Sequence, residues 1–272
     1  MTSAREDYIL GTHDAEALRL GLQHRVWRET MLGAWRRAGL RAGWRVVDVG
    51  AGPGYATWDL AEWVGPSGEV LAVDRSGRFI SLIEAEARRR GLGQIRAMEA
   101  DLMEGPISAA GYDMAWCRWV ASFTRSVPDL VQWIHRALRA GGAAVFHEYA
   151  DYASWQFAPI RPRLTEFVVE VMASWRAAGG EPNVAPALIE ALGRGGFRLR
   201  SVRPLVFATR PGELTWEWPA AFVATNAARL QELGRVSEEW VADVERELHA
   251  AEADPSSIMV TPLVLEVIAE RL

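Results

Sequence analysis

Three glycines on alternate positions, Gly50, Gly52 and Gly54, follow directly on the apolar run from Val46 to Val49 and constrain this chain more than any other feature. After them Trp58, Leu60, Ala61 and Val64 recur at helical spacing. The pattern is that of a buried strand, a tight turn and a helix N-terminus. Glycine lacks a Cβ, so such a turn takes positive φ and lets a ligand lie against the backbone. The free amides at the start of the following helix favour a carboxylate or a phosphate there. This makes the stretch a loop for a nucleotide-type cofactor.

The rest of the chain repeats the same rhythm. Residues 14 to 39 form an amphipathic helical lead-in, with Leu18, Leu22, Trp27, Met31 and Trp35 among its apolar positions. Glu69 to Asp74 is a second strand ending on an acid, and Phe79, Ile80, Ile83 and Ala87 mark a helix that stops near Gly91. Residues 94 to 99, Tyr112 to Cys117 and Ala143 to Phe146 are three further strands. A helix from Val127 to Leu138 precedes the last of these and is expected to stop at Gly141-Gly142. Strands that alternate with helices imply an α/β fold with a doubly wound, mostly parallel sheet of seven strands. Ligands in such sheets bind at the carboxyl ends of the strands.

Beyond residue 150 the alternation breaks. Trp155 to Ala178 reads as an inserted helix, Ala185 to Gly193 as another, Phe197 to Thr209 as a long β stretch, 213 to 252 as helical and Ile258 to Ile268 as a closing strand. The expected division is a helical N-terminal lid over 1–40, a cofactor-binding core over 41–150, a helical cap insertion with the last core helix over 151–196, and a closing strand pair with a helical insertion over 197–272.

Composition removes several functions. The chain of 272 residues contains 30 arginines and no lysine. Schiff-base chemistry and the phosphate-loop lysine are therefore absent. A net charge of −5 argues against a non-specific nucleic-acid binder. The single cysteine, Cys117, excludes an internal disulfide. No apolar run approaches the roughly 20 residues of a membrane span, and the polar N-terminus carries no secretory signal, so a cytoplasmic location is expected. No His/Asp/Glu spacing suggests a metal site. The oligomeric state is open, a homodimer among the options.

Two cofactors suit a glycine loop with an acid some 20–25 residues later: nicotinamide dinucleotides and S-adenosylmethionine. The dinucleotide fingerprint is G-x-G-x-x-G, whereas here the spacing is G-x-G-x-G and position 55 is Tyr55. Asp48 precedes the loop, where it would repel a pyrophosphate but suits an ammonium group. Asp74 is able to accept both ribose hydroxyls, and Asp101 the exocyclic amine of adenine, with the Leu102 amide beside it.

The succession Val46-Val47-Asp48-Val49-Gly50-Ala51-Gly52-Pro53-Gly54, Asp74, Asp101-Leu102 and Tyr112-Asp113 resembles the motifs of class I S-adenosylmethionine-dependent methyltransferases. The similarity covers about residues 40 to 150 and is nearest the ubiquinone and menaquinone biosynthesis branch. It implies a Rossmann-like methyltransferase fold. It also implies that Asp48, Gly50, Ala51, Gly52 and Gly54 hold the methionine part, Asp74 the ribose, and Asp101 with Leu102 the adenine. Arg75, Cys117 and Arg118 at neighbouring strand ends, and Tyr8 in the lid, complete the expected cofactor set.

Methyl transfer from a sulfonium is an in-line displacement that relies on alignment and exclusion of water. The expected base, where the acceptor must lose a proton, is His147 of the His147-Glu148 pair at the exit of the fifth strand. His13 and Tyr8 are weaker candidates. Trp216-Glu217-Trp218 places two tryptophans on one side of an extended segment. With Trp119 and His147 they would line a pocket for a flat, apolar acceptor. Arg118 and Arg28 are candidates to hold a carboxylate. The expected activity is methylation of a small aromatic or lipophilic metabolite at O, N or C. The alternatives are an NAD(P)-dependent oxidoreductase and a non-catalytic cofactor-binding regulator or partner subunit.

Overall fold

In a computed structural model, the structure describes residues 14–103 and 110–272. In chain order its elements are α1 (Asp14–Ala38), β1 (Arg45–Val49), α2 (Tyr55–Val64), β2 (Glu69–Asp74), α3 (Gly77–Arg90), β3 (Ile95–Glu99), β4 (Tyr112–Arg118), α4 (Val127–Ala137) and β5 (Leu138–Asp151). There follow β6 (Gln156–Ala158), α5 (Pro162–Ala177), α6 (Ala185–Arg194), β7 (Phe197–Leu205), β8 (Ala208–Thr209), α7 (Leu214–Glu232), α8 (Glu238–Ala253), β9 (Ile258–Val260) and β10 (Leu263–Arg271). Their contacts sort into two units.

The larger unit comprises residues 27–152, 179–206 and 262–272. It is built on one sheet of seven strands in the order β3-β2-β1-β4-β5-β10-β7. The first five run parallel, and β10 is antiparallel to both β5 and β7. This is the doubly wound, mostly parallel sheet expected from the strand-helix alternation. Its central strands are apolar without alternation because helices cover both faces. Val46 packs with Met31, Trp35, Leu60 and Trp116 on one face, and Val47 and Val49 pack with Leu130, Ile134, Leu188 and Leu192 on the other. All three valines are fully buried, which stabilises the fold by about 1.5–3 kcal/mol each.

Among the described residues the smaller unit comprises 14–26, 153–178 and 207–261. It holds the beginning of α1, helices α5, α7 and α8, and a second sheet in the order β6-β9-β8. Its interior is aromatic. Phe222 lies 6.2 Å from Trp155 and from Phe167, and 6.3 Å from Trp175. Along the start of α1, Arg19 forms a buried ion pair with Glu16, and Gln23 accepts the indole N–H of Trp218 at 3.0 Å.

Several sequence expectations need correction. The fifth strand is far longer than Ala143 to Phe146. Helix α4 ends at Ala137, so Gly141-Gly142 lie inside β5, at an irregularity in its pairing with β4. There a Cβ on Gly142 would stand 2.9 Å from the Arg139 carbonyl, an approach only glycine permits. The expected helix from Trp155 begins only at Pro162, after the strand β6, because Pro159 and Pro162 hold the chain extended before it. Phe197 to Thr209 is two strands in different sheets, and the closing strand is likewise two, β9 and β10, parted at Thr261-Pro262. The 213–252 stretch is the pair α7 and α8. Trp216 and Trp218 lie in the first turns of α7 and not on an extended segment, and Pro219 sits inside that helix. Two residues apart on a helix they do not share a side. Both are buried all the same, since α7 is apolar over most of its circumference.

Candidate functional site

The order β3-β2-β1-β4-β5 reverses direction between β1 and β4. The crevice at such a switch point, outside the carboxyl ends of the strands, is where open α/β sheets bind ligands. The glycine loop leaves β1 on one side of it and the segment from Arg118 leaves β4 on the other.

The loop is held from β2. The amides of Gly50 and Ala51 donate to the Val73 carbonyl at 2.9 and 3.0 Å, and the Gly52 amide donates to Asp74 Oδ2 at 2.8 Å. Asp74 Oδ1 accepts the Ser76 amide at 2.8 Å, and the Ser76 hydroxyl in turn caps α3 through the Phe79 amide. All three glycines have positive φ, 67° at Gly50, 55° at Gly52 and 96° at Gly54. Their surroundings differ. A Cβ at Gly50 would stand 2.3 Å from Val120 Cγ2, and one at Gly54 would stand 2.6 Å from Ile83 Cγ1. At Gly52 no described atom lies within 4 Å. Gly50 and Gly54 therefore serve close packing, and Gly52 leaves an open cradle that a side chain would fill.

Two carboxylates sit under and beside this cradle. Asp48 is 2 % exposed and accepts the Thr57 hydroxyl at 2.6 Å. Burial pushes its pKa up to about 6, while Thr57 and the nearby Arg118 hold it down. Burial also raises Asp74, against the Ser76 and Gly52 amides that favour its charge. Arg75 beside it is exposed. Asp101, two residues past β3, is exposed and accepts the Met103 amide at 2.8 Å, and Leu102 packs on the core. Ala100 donates to the Asp74 carbonyl at 3.0 Å, which ties this segment to the end of β2.

Across the switch point, burial raises Cys117 well above its ordinary range, so it is an inert thiol. Arg118 lies over the rings of Trp119 and Trp116, at 5.1 and 5.8 Å from their centroids. Burial lowers it to about 10. Trp119 stacks on Tyr149 at 5.6 Å and meets the edge of Trp27 at 5.2 Å. Its φ of 53° is the left-handed conformation, costly for a bulky side chain. Arg28, expected as a carboxylate holder, already makes a bidentate pair with Asp59 at 2.8 and 3.0 Å.

His147 lies within β5, four residues before its end, and is fully buried between the rings of Trp116 and Trp27. Burial lowers it to about 4. Its Nε2 stands 3.5 Å from Glu266, beyond a good hydrogen bond, and that carboxylate is held by Arg37 instead. An imidazole so enclosed stays neutral at physiological pH. Glu148 faces the opposite side and accepts the amides of Val120 and Ala121, each at 2.8 Å, and the Ser122 hydroxyl at 3.2 Å. Burial pushes it up to about 7 against these donors. Tyr8 and His13 fall outside the described residues. Trp216 and Trp218 belong to the smaller unit.

Sequence reading missed Thr57, Ser76, Arg37 and the role of Glu148. Thr57 carried a signal, since it lies in the first turn of α2 and so faces back towards β1. Among the described residues no helix is long and apolar enough to cross a membrane, and no group of three or more His, Cys, Asp or Glu is placed to hold a metal ion.

Residues 46–142 match the family model described as a methyltransferase domain. The chain is similar to the demethylmenaquinone methyltransferase of Geobacillus kaustophilus, 31% identical over 126 residues that cover 45% of this chain and 51% of the relative. It is 29% identical over 165 residues to the malonyl-[acyl-carrier protein] O-methyltransferase of Enterobacter lignolyticus, covering 58% and 57%. It thus spans about half the length of the curated relatives it matches. Among solved structures, a geranyl diphosphate methyltransferase in complex with geranyl diphosphate and sinefungin superposes with a TM-score of 0.59 at 18% identity, over 92% of this chain and 80% of that one. That likeness concerns the fold.

Proposed function

We propose that this chain, whose residues 46–142 match a methyltransferase domain and which is related to the ubiquinone and menaquinone biosynthesis branch, is a class I S-adenosylmethionine-dependent methyltransferase that methylates a small aromatic or lipophilic metabolite. The observation that carries the reading is the open cradle at Gly52, whose amide is fixed by Asp74. It fits a donor with a ribose and a cationic amino-acid tail better than one with a pyrophosphate, because Asp48 lies beneath the same loop. The nicotinamide reading is set aside on that ground and on the glycine spacing.

Bound S-adenosylmethionine supplies an electrophilic methyl group on a sulfonium. The chain's own residues hold and align. In this reading Gly50 to Gly54 and Asp48 take the amino-acid part, Asp74 turns its remaining acceptor capacity to the ribose hydroxyls, and Asp101 with Leu102 borders the base. Arg118 offers its guanidinium to a carboxylate. His147 is fully buried against Trp116 and Trp27, and burial makes its imidazole a weak proton acceptor, so we assign it to packing and not to base catalysis. Acceleration then comes from orientation and from exclusion of water. We assign the donor core to residues 41–150. The relatives include both a malonyl-[acyl-carrier protein] O-methyltransferase and a ubiquinone/menaquinone biosynthesis C-methyltransferase, so the reading commits to no attacking atom.

Calorimetric titration with S-adenosylhomocysteine and with NAD tests the proposal. Micromolar binding of the first and none of the second is expected, and the reverse would refute it. Incubation with labelled donor and a metabolite extract then separates an enzyme from a regulator: binding with no transfer to any metabolite favours the regulator.

A further inference from the structure

Glu148 takes no part in the steps above, yet it is a fully buried carboxylate in the middle of a sheet. An ion in that position is expensive unless several donors converge on it. Three do, all from one short turn after β4: the Val120 and Ala121 amides on Oε1 and the Ser122 hydroxyl on Oε2. The same turn carries two unusual features. Trp119 is held left-handed, with its amide donating to the His147 carbonyl at 3.0 Å. Val120 occupies the space that a side chain at Gly50 would need. Left to itself a tryptophan leaves the left-handed region, and the residue after it swings with it.

We propose that Glu148 is a positioning residue of the donor site, gripping the 120–122 turn so that Trp119 keeps its left-handed backbone and Val120 stays pressed on Gly50. This rests on the donor-site reading of the glycine loop. The carboxylate touches no ligand. It acts through the turn, as the wall against which the Gly50 to Gly54 loop is set. A neutral core residue of equal volume would pack as well, but it would leave two buried amides unpaired.

The test is a double-mutant cycle between Glu148→Met and Trp119→Gly, read by S-adenosylhomocysteine affinity, by the donor KM against kcat, and by the melting midpoint of the ligand-free protein. Methionine fills the volume and offers the Val120 and Ala121 amides no oxygen. Glu148→Met alone is expected to weaken S-adenosylhomocysteine binding roughly tenfold, with KM for the donor rising in step and kcat changing much less. Glycine takes positive φ without strain. In the Trp119→Gly background the same substitution is therefore expected to cost no more than about threefold. Equal, additive losses in both backgrounds would overturn the proposal, as would a wild-type affinity in Glu148→Met. The melting midpoints should couple in the same sense with no ligand present. Should the wild-type protein bind no S-adenosylhomocysteine, the donor-site reading fails, while coupled midpoints would still report that Glu148 holds the turn. Should Glu148→Met not fold, Ser122→Ala removes one of the donors. A loss of about two- to threefold in affinity at unchanged circular dichroism supports the proposal, and no loss refutes it.

Discussion

Gly50→Ala and Gly52→Ala should part company in a way that tests how the loop works. Both positions are left-handed, at φ 67° and 55°, so each alanine carries a conformational cost of about 1–2 kcal/mol. At Gly50 the new methyl would also stand 2.3 Å from Val120 Cγ2. Relieving that overlap shifts packed atoms and adds about 1–3 kcal/mol. At Gly52 nothing described lies within 4 Å and no steric penalty is added. For a unit of this size each kcal/mol lowers the melting midpoint by about 2–4 °C. Gly52→Ala is thus expected to melt a few degrees low and Gly50→Ala distinctly lower. Binding should show the opposite order. The Gly52→Ala methyl projects into the cradle and should weaken S-adenosylhomocysteine by at least roughly tenfold, or about 1.4 kcal/mol. Differential scanning fluorimetry of the ligand-free proteins and calorimetric titration provide the two readings. A Gly52→Ala protein that binds like wild type, or one less stable than Gly50→Ala, would refute the assignment of Gly52 as the ligand-facing glycine.

Asp74→Ala should weaken S-adenosylhomocysteine at least about tenfold, because it removes both the clamp on the Gly52 amide and the expected ribose acceptor; unchanged affinity in a titration would show the ribose assignment to be wrong. Thr57→Val removes the hydroxyl that holds Asp48 down. The acid limb of S-adenosylhomocysteine binding, followed by titration between pH 5 and 8, should move to higher pH, and an unmoved limb would exclude Asp48 from the site. His147→Phe should flatten the acid side of the stability profile. The wild-type imidazole, lowered from 6.5 to about 4, contributes stability that is complete above pH 6.5 and lost as the pH falls towards 4. Urea unfolding at pH 7, 5.5 and 4.5 should show the wild type losing up to about 1.4 kcal/mol per pH unit more than the variant; parallel profiles would mean that His147 titrates normally. Glu148 and Asp48, both raised, carry the opposite sign over pH 4.5–7 and 3.8–6, and they remain in both proteins.

What could be read from the sequence was local. Val46 to Gly54 declares a strand, a turn and a helix because an apolar run and three glycines have few other uses in that order, and Asp74 follows at the end of the next strand. The pairs that set the site are not local. Arg37 meets Glu266 across 229 residues, and Glu148 meets the 120–122 turn at a separation of 26 to 28. No spacing rule links such positions, so the partners of Glu148 were not legible, although alternation in β5 already sends His147 and Glu148 to opposite faces of the sheet. Arg28 looked available for a ligand because its partner, Asp59, lies 31 residues away on α2. The Trp216-Glu217-Trp218 segment misled for a different reason. Tryptophan favours strands and Pro219 discourages helix, but the surrounding aromatic interior of the smaller unit decides the conformation, as tertiary packing commonly does over propensity.

On the proposed reading, one acid, Asp74, serves both the fold and the ligand. A carboxylate offers about four lone-pair sites, and the amides of Gly52 and Ser76 take one on each oxygen, with the Arg75 amide also favouring the charged group. These bonds orient the group, tie the glycine loop to β2 and fix the first turn of α3 before any ligand arrives. The acceptor capacity that remains is what the proposed reading offers to a ribose. The geometry also explains why the position demands an acid and not its amide. Asparagine would turn an NH2 towards either the Gly52 or the Ser76 amide, setting donor against donor, so the loop would loosen even though the shape is kept. On the proposed reading, preorganisation and recognition fall to the same pair of oxygen atoms. The open cradle at Gly52 depends on them, since the Gly52 amide donates to Asp74 Oδ2 and so ties that glycine to the end of β2.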